Sequence, residues 1–414
     1  MTGADFGLRL RRLREQHGLT QQELVDRLIS LAWTETRQHV GLDRQMVSKW
    51  ERGIKIPDKR YRNLLRTALG IADHDLGEGT SAGDSTAVEV AGDLFESPLD
   101  VMSRMQLLTS SNTNDETITQ YSEAIDTIVE LYEHEGPASL AAHVVRRRKN
   151  VQLLLEGSQP PHHREKLYLV AGKLSALLGY MAVNLGKFAT ATAYSREAFQ
   201  LGAFAKSPDL QAWARGTQSF CAYYVGDFRT AADLARDGQR YARNGPQAVR
   251  LASNGEARAL AKLGDVRGVN DAVERAYRIA EQYEPPPGVS SCISFGLYSN
   301  AHTASNAATA YVDLGLPARV QEFADQVMPV FEASESRWSQ SLLRLDLAKA
   351  MVRADAPEPE RAANLVIEAL TLSAERPITS VLTRSREFLG TASRWRDLEP
   401  VRNATETLRA VERR

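Results

Sequence analysis

The segment at residues 41–53, GLDRQMVSKWERG, carries side chains that could contact DNA bases from the surface of a short helix. Asp43 is a typical helix N-cap, and the final glycine is a typical stop. A guanidinium suits O6 and N7 of guanine, and a carboxamide suits N6 and N7 of adenine. On the other side of the helix, Val47 and Trp50 would anchor it to its domain. The predicted base-contacting residues are Arg44, Gln45, Ser48 and Lys49.

Three cations directly after this helix, Lys55, Lys59 and Arg60, are predicted phosphate contacts. They belong to a basic module in a chain that is nearly neutral, with 51 Lys and Arg against 52 Asp and Glu in 414 residues. The first 72 residues hold 14 of the basic and 8 of the acidic residues, which leaves 37 and 44 for the rest. This asymmetry favours a polyanionic partner for the module alone, although any single cation could equally serve only solubility.

Apolar spacing predicts four short helices in residues 1–72. Thr20 and Glu23 form a capping box for the second helix, Asp43 caps the third, and Pro57 precedes the fourth. The residues predicted to face the core are Phe6, Leu10 and Leu13 in the first helix, Leu24, Leu28 and Leu31 in the second, Val47 and Trp50 in the third, and Leu64, Leu65, Ala68 and Leu69 in the fourth.

The sequences LTQQELVDRL and VSKWERG, at residues 19–28 and 47–53, resemble the Cro/repressor-type (XRE) helix-turn-helix family over about residues 6–72. In that family the second helix begins with Thr-Gln, and the recognition helix ends in Glu-x-Gly after an apolar residue. The resemblance implies that the third helix enters the major groove and that Gln21 holds a phosphate. The matching residues are Thr20, Gln21, Trp50, Glu51 and Gly53.

The chain departs from that family between the second and third helices. The insertion ISLAWTETRQHVG, at residues 29–41, stands where the family has a short turn. We expect the second helix to continue toward Trp33 or Thr36, with Gly41 making the corner before the third helix. The insertion affects the expected angle of entry of the third helix and leaves its identity unchanged.

Composition changes after the basic module. Residues 77–100 are rich in Gly, Ser, Thr and acids without sustained periodicity, which predicts a linker between a domain at residues 1–76 and a second at 101–414. The second domain is rich in Ala and Leu at a period of 3.6 and lacks alternating β-branched runs. The predicted fold class is therefore all-α.

A self-similar unit runs through this second domain: NLGKFATATAY, YVGDFRTAADL, KLGDVRGVNDA and DLGLPARVQEF. The glycines at 186, 226 and 264 are about 40 residues apart, and the glycine at 315 follows after about 50. Pairs of helices at such a period resemble an α-solenoid of tetratricopeptide type. Ala191, Ala198 and Ala231 stand where that family needs small residues. Its usual large aromatic is replaced by Ser195, Ala235 and Val273, so the repeats are degenerate.

The combination resembles bacterial regulators that include the peptide-pheromone receptors of Gram-positive bacteria. That resemblance implies a solenoid that forms a homodimer and holds an effector, a peptide or a small molecule, on its concave face. Asn and Arg there can bind a peptide backbone or a carboxylate, and aromatic residues can hold side chains. Ordinary packing or a solvated face is the alternative for each residue. The predicted effector-binding residues are Lys173, Tyr180, Asn184, Trp213, Tyr223, Tyr224, Asn254, Arg258 and His302.

Other classes of function find little support in the sequence. No apolar run suggests a membrane span or signal peptide, so we expect a cytoplasmic protein without membrane contact. Cys221 and Cys292 lack the spacing of a metal site and are interpreted as buried small residues. The motif HHRE, at residues 162–165, is predicted to lie in an exposed loop. No motif nominates a nucleophile, a cofactor or a metal, and we expect a protein that is not an enzyme.

Two functions remain. The first is a sequence-specific transcription regulator that acts as a homodimer on an inverted repeat of duplex DNA and responds to an effector. The second is an interaction adaptor or antitoxin, whose solenoid binds a partner protein and whose DNA-binding module serves only autoregulation. What occupies the concave face distinguishes the two.

Overall fold

A computed structural model describes residues 3–36, 40–70, 96–284 and 287–413. Within these ranges all regular secondary structure is helical and no strand occurs, which confirms the all-α prediction. The chain divides into two compact units, Met1–Phe95 and Glu96–Arg414. Most of the predicted linker, 77–95, lies outside the described residues. Its last three residues, 98–100, begin a helix.

The first unit has four helices in its described residues. They are α1 (Gly3–Gln16), α2 (Gln21–Thr36), α3 (Arg44–Glu51) and α4 (Lys59–Leu69). As expected, α2 continues to Thr36. Gly7 lets α1 approach α3 closely, because a Cβ at Gly7 would overlap the carbonyl oxygen of Glu51. The predicted core residues are buried except Leu13 and Leu31, which are partly buried.

Local capping explains where these helices begin. Thr20 N donates to Glu23 Oε2 at 2.6 Å and Glu23 N donates to Thr20 Oγ1 at 3.2 Å, which confirms the predicted capping box. Met46 N donates to Asp43 Oδ1 at 2.7 Å at the start of α3. Asp58 caps α4 in the same way. Each cap satisfies a backbone N–H that has no partner inside its helix.

The second unit is a succession of helices that pack against their neighbours in sequence. They are α5 (Pro98–Thr109), α6 (Asp115–Glu135), α7 (Pro137–Glu156), α8 (Pro161–Asn184), α9 (Phe188–Phe204), α10 (Pro208–Tyr224), α11 (Phe228–Ala242), α12 (Ala248–Arg250), a π-helical segment π1 (Leu251–Ala257), α13 (Arg258–Lys262), α14 (Val266–Ala280), α15 (Asn300–Asp313), α16 (Pro317–Glu332), α17 (Arg337–Arg353), α18 (Pro359–Ser373), α19 (Thr379–Thr391), a 3₁₀ turn (Ala392–Trp395) and α20 (Glu399–Glu412).

Glycines with positive φ close the first helix of four successive helical hairpins. Gly186, Gly226, Gly264 and Gly315 have φ of 70°, 86°, 75° and 71°, a backbone region that favours glycine. They join α8 to α9, α10 to α11, α13 to α14 and α15 to α16, and the helices of each pair are in contact. The hairpin junctions that the repeated unit predicts are therefore present. The small residues Ala191, Ala198 and Ala231 are completely buried within them.

The hairpin that contains α12, π1 and α13 is irregular. Residues 251–257 form i→i+5 rather than i→i+4 hydrogen bonds, a feature often found at functional sites. In an α-helix, residues four apart drift by about 40° around the axis at each step. The wider π turn opposes that drift between Asn254 and Arg258, whose side chains hydrogen-bond to one another.

The C-terminal helices return to α8. Thr379 Oγ1, at the start of α19, donates to the carbonyl oxygen of Asn184 at 3.0 Å, although 195 residues separate the two. Helix α8 is long and apolar enough to cross a membrane, but 83% of its most apolar window is buried inside the protein. It is thus a core helix of the second unit.

One local prediction was wrong. His162–Glu165 do not lie in a loop, because Pro161 begins α8 and the four residues form part of its first turns. Proline is well suited to the first helical position, where its missing N–H has no partner to lose. His162 is exposed and His163 is partly buried.

Candidate functional site

Helix α3 separates an exposed polar face from a buried apolar one. Arg44, Gln45 and Lys49 are exposed, and Ser48 is partly buried at the edge of their face. Trp50 is 1% exposed, and its ring lies 5.4 Å from that of Tyr61 on α4. The predicted base-contacting residues therefore point away from the core of their own unit.

A buried ion pair fixes the end of α3. Arg14 Nε donates to Glu51 Oε1 at 2.6 Å, and Gln21 Nε2 donates to Glu51 Oε2 at 2.8 Å. Arg14 also donates to the carbonyl oxygen of Leu19 at 2.5 Å. The amide of Gln21 thus joins the start of α2 to the end of α3. Its second N–H remains the predicted phosphate donor.

The other predicted phosphate contacts lie near the same end of α3. Lys55 follows α3, Lys59 and Arg60 open α4, and all three side chains are exposed. Ile54 and Ile56, on either side of Lys55, are exposed as well. Arg14, which the sequence analysis did not nominate, is the residue that connects this region to α1; its partner Glu51 is 37 residues away, too far for a local pattern to indicate.

In the second unit, the first helices of successive hairpins surround one cavity of about 70 Å³. This space is below the range of about 300–1,000 Å³ that is usual for drug-sized ligands, so a ligand here would be small. Six of the nine predicted effector-binding residues line it: Tyr180, Asn184, Tyr224, Asn254, Arg258 and His302. Many of the other lining residues were not predicted from the sequence, including Glu133, Phe220, Cys292, Tyr298, Trp338 and Arg384.

Three predicted residues do not reach this cavity. Trp213 is core, 1% exposed, and its Nε1 donates to the carbonyl oxygen of Ser294 at 3.0 Å. Tyr223 turns to the neighbouring charged cluster and donates to Asp313 at 3.3 Å. Lys173 lies in a different groove, with its ammonium 5.3 Å from the ring of Phe295. The long segment between α14 and α15 explains the positions of Trp213 and Lys173, because it contributes the Ser294 and Phe295 that they contact.

Arg258, which lines the cavity, and Arg250, which lies against the ring of Tyr180, are buried without a carboxylate partner. Arg258 is 3% exposed; it donates to Asn254 Oδ1 and, at 3.3 Å, to the hydroxyl of Tyr224, while its Nε has no acceptor. Arg250 is 4% exposed, and neither of its terminal nitrogens has an acceptor. Its guanidinium lies 5.2 Å from the ring of Tyr180 and 4.8 Å from that of Trp213. Neither arginine forms an ion pair with an acidic residue in the described parts of the chain.

The remaining charges near the cavity are better compensated. Arg384 donates to Asp346 at 2.6 Å, and Thr309 donates to the same carboxylate oxygen at 2.6 Å. Glu133 accepts from the backbone N–H of Cys292 at 3.2 Å and from Ser336 at 3.0 Å. Burial raises the pKa of the Glu133 carboxyl, which favours its neutral form. The excess charge at the cavity is therefore positive.

Burial also sets the protonation of two further lining residues. Burial and, as the smaller cause, the positive charge of Arg250 together lower the pKa of His302 to about 4, so His302 is neutral near pH 7. His302 Nδ1 lies 2.9 Å from Ser299 Oγ. Burial raises the pKa of the Cys292 thiol well above its usual range. Cys221 is buried as predicted, whereas Cys292 is only partly buried and lines the cavity.

Comparison with known proteins finds no family model that matches the chain and no curated protein with significant similarity to it. In the ranges that the structure describes, no group of His, Cys, Asp and Glu is arranged to hold a metal ion. Function is therefore inferred from the exposed face of α3 and from the chemistry of the cavity.

Proposed function

We propose that this chain is a sequence-specific DNA-binding transcription regulator, with an XRE-type helix-turn-helix in its first unit and a tetratricopeptide-like solenoid that senses an effector in its second. The observation that carries the proposal is the division of α3 into an exposed polar face and a buried apolar face. Its buried side fixes it to α1, α2 and α4, and its exposed side offers Arg44, Gln45 and Lys49. A helix with this distribution fits the major groove, where its N-terminal residues meet base edges.

Binding to duplex DNA should depend strongly on salt. A protein that makes 6–10 phosphate contacts loses roughly 10³–10⁵-fold in affinity between 50 and 200 mM salt. Fluorescence anisotropy of the full chain with labelled duplexes measures this dependence. Lys55→Gln should reduce the slope of log affinity against log salt by about one for each protomer. Lys187→Gln, at an exposed site in the second unit, is the matched control and should leave the slope unchanged.

A single helix-turn-helix contacts few base pairs, so the proposal includes a homodimer on an inverted repeat. Helix α5 supports a contact with a second copy because it has no buried residue and exposes large apolar side chains. These are Leu99, Val101, Met102, Met105, Leu107 and Leu108. Light scattering should give a dimer for the full chain and a monomer for Met102→Glu/Met105→Glu. A wild-type monomer, both free and on DNA, would contradict the dimer.

The cavity supports the sensing role because it brings together polar groups from seven helical hairpins. A ligand there would contact these hairpins together and bias their arrangement. A coupling of about 1–3 kcal/mol, or roughly 5–150-fold in DNA affinity, is usual between two linked sites. Equal DNA affinity with the cavity filled and empty would refute the coupling and leave DNA binding untouched.

A further inference from the structure

The charge at the cavity is unbalanced, and the imbalance comes from two side chains. Arg384 has Asp346 as its partner, and in an adjacent cluster Lys262 and Lys349 share Asp313 and Glu387. Arg258 and Arg250 contact neutral groups, namely the amide of Asn254 and the rings of tyrosine and tryptophan. Asp346, whose charge also acts on Arg258, is already paired with Arg384. A buried ion without a counter-ion costs several kcal/mol, so this arrangement is stabilised when an anion enters.

The cavity lining also restricts the anion. Beside Arg258 it offers the aromatic rings of Tyr180, Phe220, Tyr224, Tyr298 and Trp338. The rings of Tyr180 and Phe220 stack with centroids 5.1 Å apart. Such a wall suits an apolar, ring-sized body, and the planar fork of a guanidinium matches a carboxylate. A phosphate dianion would carry twice the charge into the same enclosure at a much larger desolvation cost.

We propose that this cavity binds an organic monocarboxylate with an apolar or aromatic body, whose carboxylate pairs with Arg258 while Arg250 adds positive charge from behind Tyr180. The π-helical segment π1 places Asn254 beside Arg258 in the cavity lining. The proposal deepens the sensing role, and it rests on the proposed regulator only for the consequence at DNA. The carboxylate could belong to a free organic acid or to the C-terminus of a short peptide.

Isothermal titration calorimetry of the full chain without DNA tests the proposal directly. The probes are benzoate, phenylacetate and indole-3-acetate, their primary amides, phenyl phosphate, and the tripeptide Gly-Leu-Phe as free acid and as amide. We expect at least one carboxylate to bind saturably and at least 10-fold more tightly than its amide. Tighter binding by the ring acids than by the tripeptide identifies a free acid, and the reverse order identifies a peptide terminus.

Arg258→Met keeps the volume of the side chain and removes the charge. Because the charge it removes is unpaired, we expect this variant to stay folded with an unfolding temperature no lower than the wild type, and to lose at least 10-fold in carboxylate affinity. The matched control is Arg148→Met, which breaks an ion pair with Glu197 outside the cavity and should bind the acid normally.

Three results overturn the proposal: no carboxylate binds, acid and amide bind equally, or phenyl phosphate binds most tightly. Unchanged acid affinity in Arg258→Met overturns it as well. If that variant unfolds, the comparison of acids with amides in the wild type still tests the proposal. Because none of these titrations contains DNA, failure here is distinct from failure of DNA binding.

Discussion

The two units bury ionic groups in opposite ways. In the first unit, Arg14 and Glu51 satisfy one another and Gln21 completes the network. In the second unit, Arg250 and Arg258 are equally buried but meet only neutral groups. A paired buried charge holds helices in register, whereas an unpaired one represents a cost that a ligand can offset. The polar residues that we assign to DNA, in contrast, are exposed and need no internal partner.

The largest expected effect tests whether the ion pair of Arg14 and Glu51 stabilises the first unit. Glu51→Gln leaves the buried guanidinium of Arg14 with only the exposed carboxylate of Glu15, 3.5 Å away, as counter-ion, and we expect a loss toward the lower end of about 3–5 kcal/mol in the free energy of unfolding of the first unit. Amide hydrogen exchange of α1–α4 in the full chain measures it. Glu15→Gln, at the exposed carboxylate beside the same arginine, is the control and should leave exchange nearly unchanged. Equal effects of the two substitutions would mean that the pair has no special structural role.

The next prediction concerns the positive charge at the cavity. The pKa of His302 is 6.5 in an unfolded chain and about 4 in the fold. Between these pH values the unfolded chain holds the extra proton, so stability falls as the pH is lowered from 6.5 toward 4. At 1.36 kcal/mol for each pH unit the full loss is about 3 kcal/mol. Chemical unfolding of the second unit between pH 7 and 4.5 should show a shallower dependence in His302→Gln.

The control for His302 is His162→Gln, at the exposed start of α8. This variant should keep the wild-type dependence of stability on pH. A His302→Gln variant that also keeps it would show that neither the burial of this imidazole nor the charge of Arg250 lowers its pKa.

A third prediction concerns the exposed polar residues of α3, which we assign to contacts with DNA. Arg44→Ala or Gln45→Ala should each weaken binding to the preferred DNA sequence by about 1–3 kcal/mol and relax preference at one base pair. Lys55→Ala is the matched comparison, because loss of a phosphate contact weakens binding to all sequences alike. Fluorescence anisotropy with preferred and scrambled duplexes distinguishes base contacts from phosphate contacts. If Arg44→Ala and Gln45→Ala lose the same affinity for both duplexes, those residues contact only the DNA backbone.

The smallest expected effect separates helix stability from DNA contact. Asp43→Ala and Asp58→Ala each remove a side-chain cap, and each should cost about 1 kcal/mol in the stability of the first unit. Only Asp43 caps α3, so only Asp43→Ala should also reduce preference for the DNA sequence. If Asp58→Ala reduces it to the same extent, the effect reflects general destabilisation of the unit.

Local chemistry explains what the sequence predicted well. Helix starts at Asp43 and Thr20 and helix ends at glycines depend on a few adjacent residues, and these predictions were confirmed. The cavity residues were partly predictable because the junction glycines set the register of each first helix. Tyr180 and Asn184, four residues apart on α8, both line the cavity as that register requires.

Distant contacts explain what the sequence did not predict. Arg14 with Glu51 and Arg384 with Asp346 are 37 and 38 residues apart, beyond any helical pattern. The segment between α14 and α15 contributes Cys292 and Tyr298 to the cavity and covers Trp213 through Ser294, and it has no repeat of its own. The π turn at residues 251–257 was likewise indicated by no residue pattern.

The central claim is that the exposed face of α3 recognises a DNA sequence, and selection from a random duplex library by the full chain tests it most directly. The account predicts an inverted repeat, with half-sites separated by about one helical turn or a multiple of it, and loss of one specified base pair per half-site when the selection is repeated with Arg44→Ala. A library that yields no consensus, or the same consensus from Arg44→Ala and Gln45→Ala as from the wild type, would contradict it.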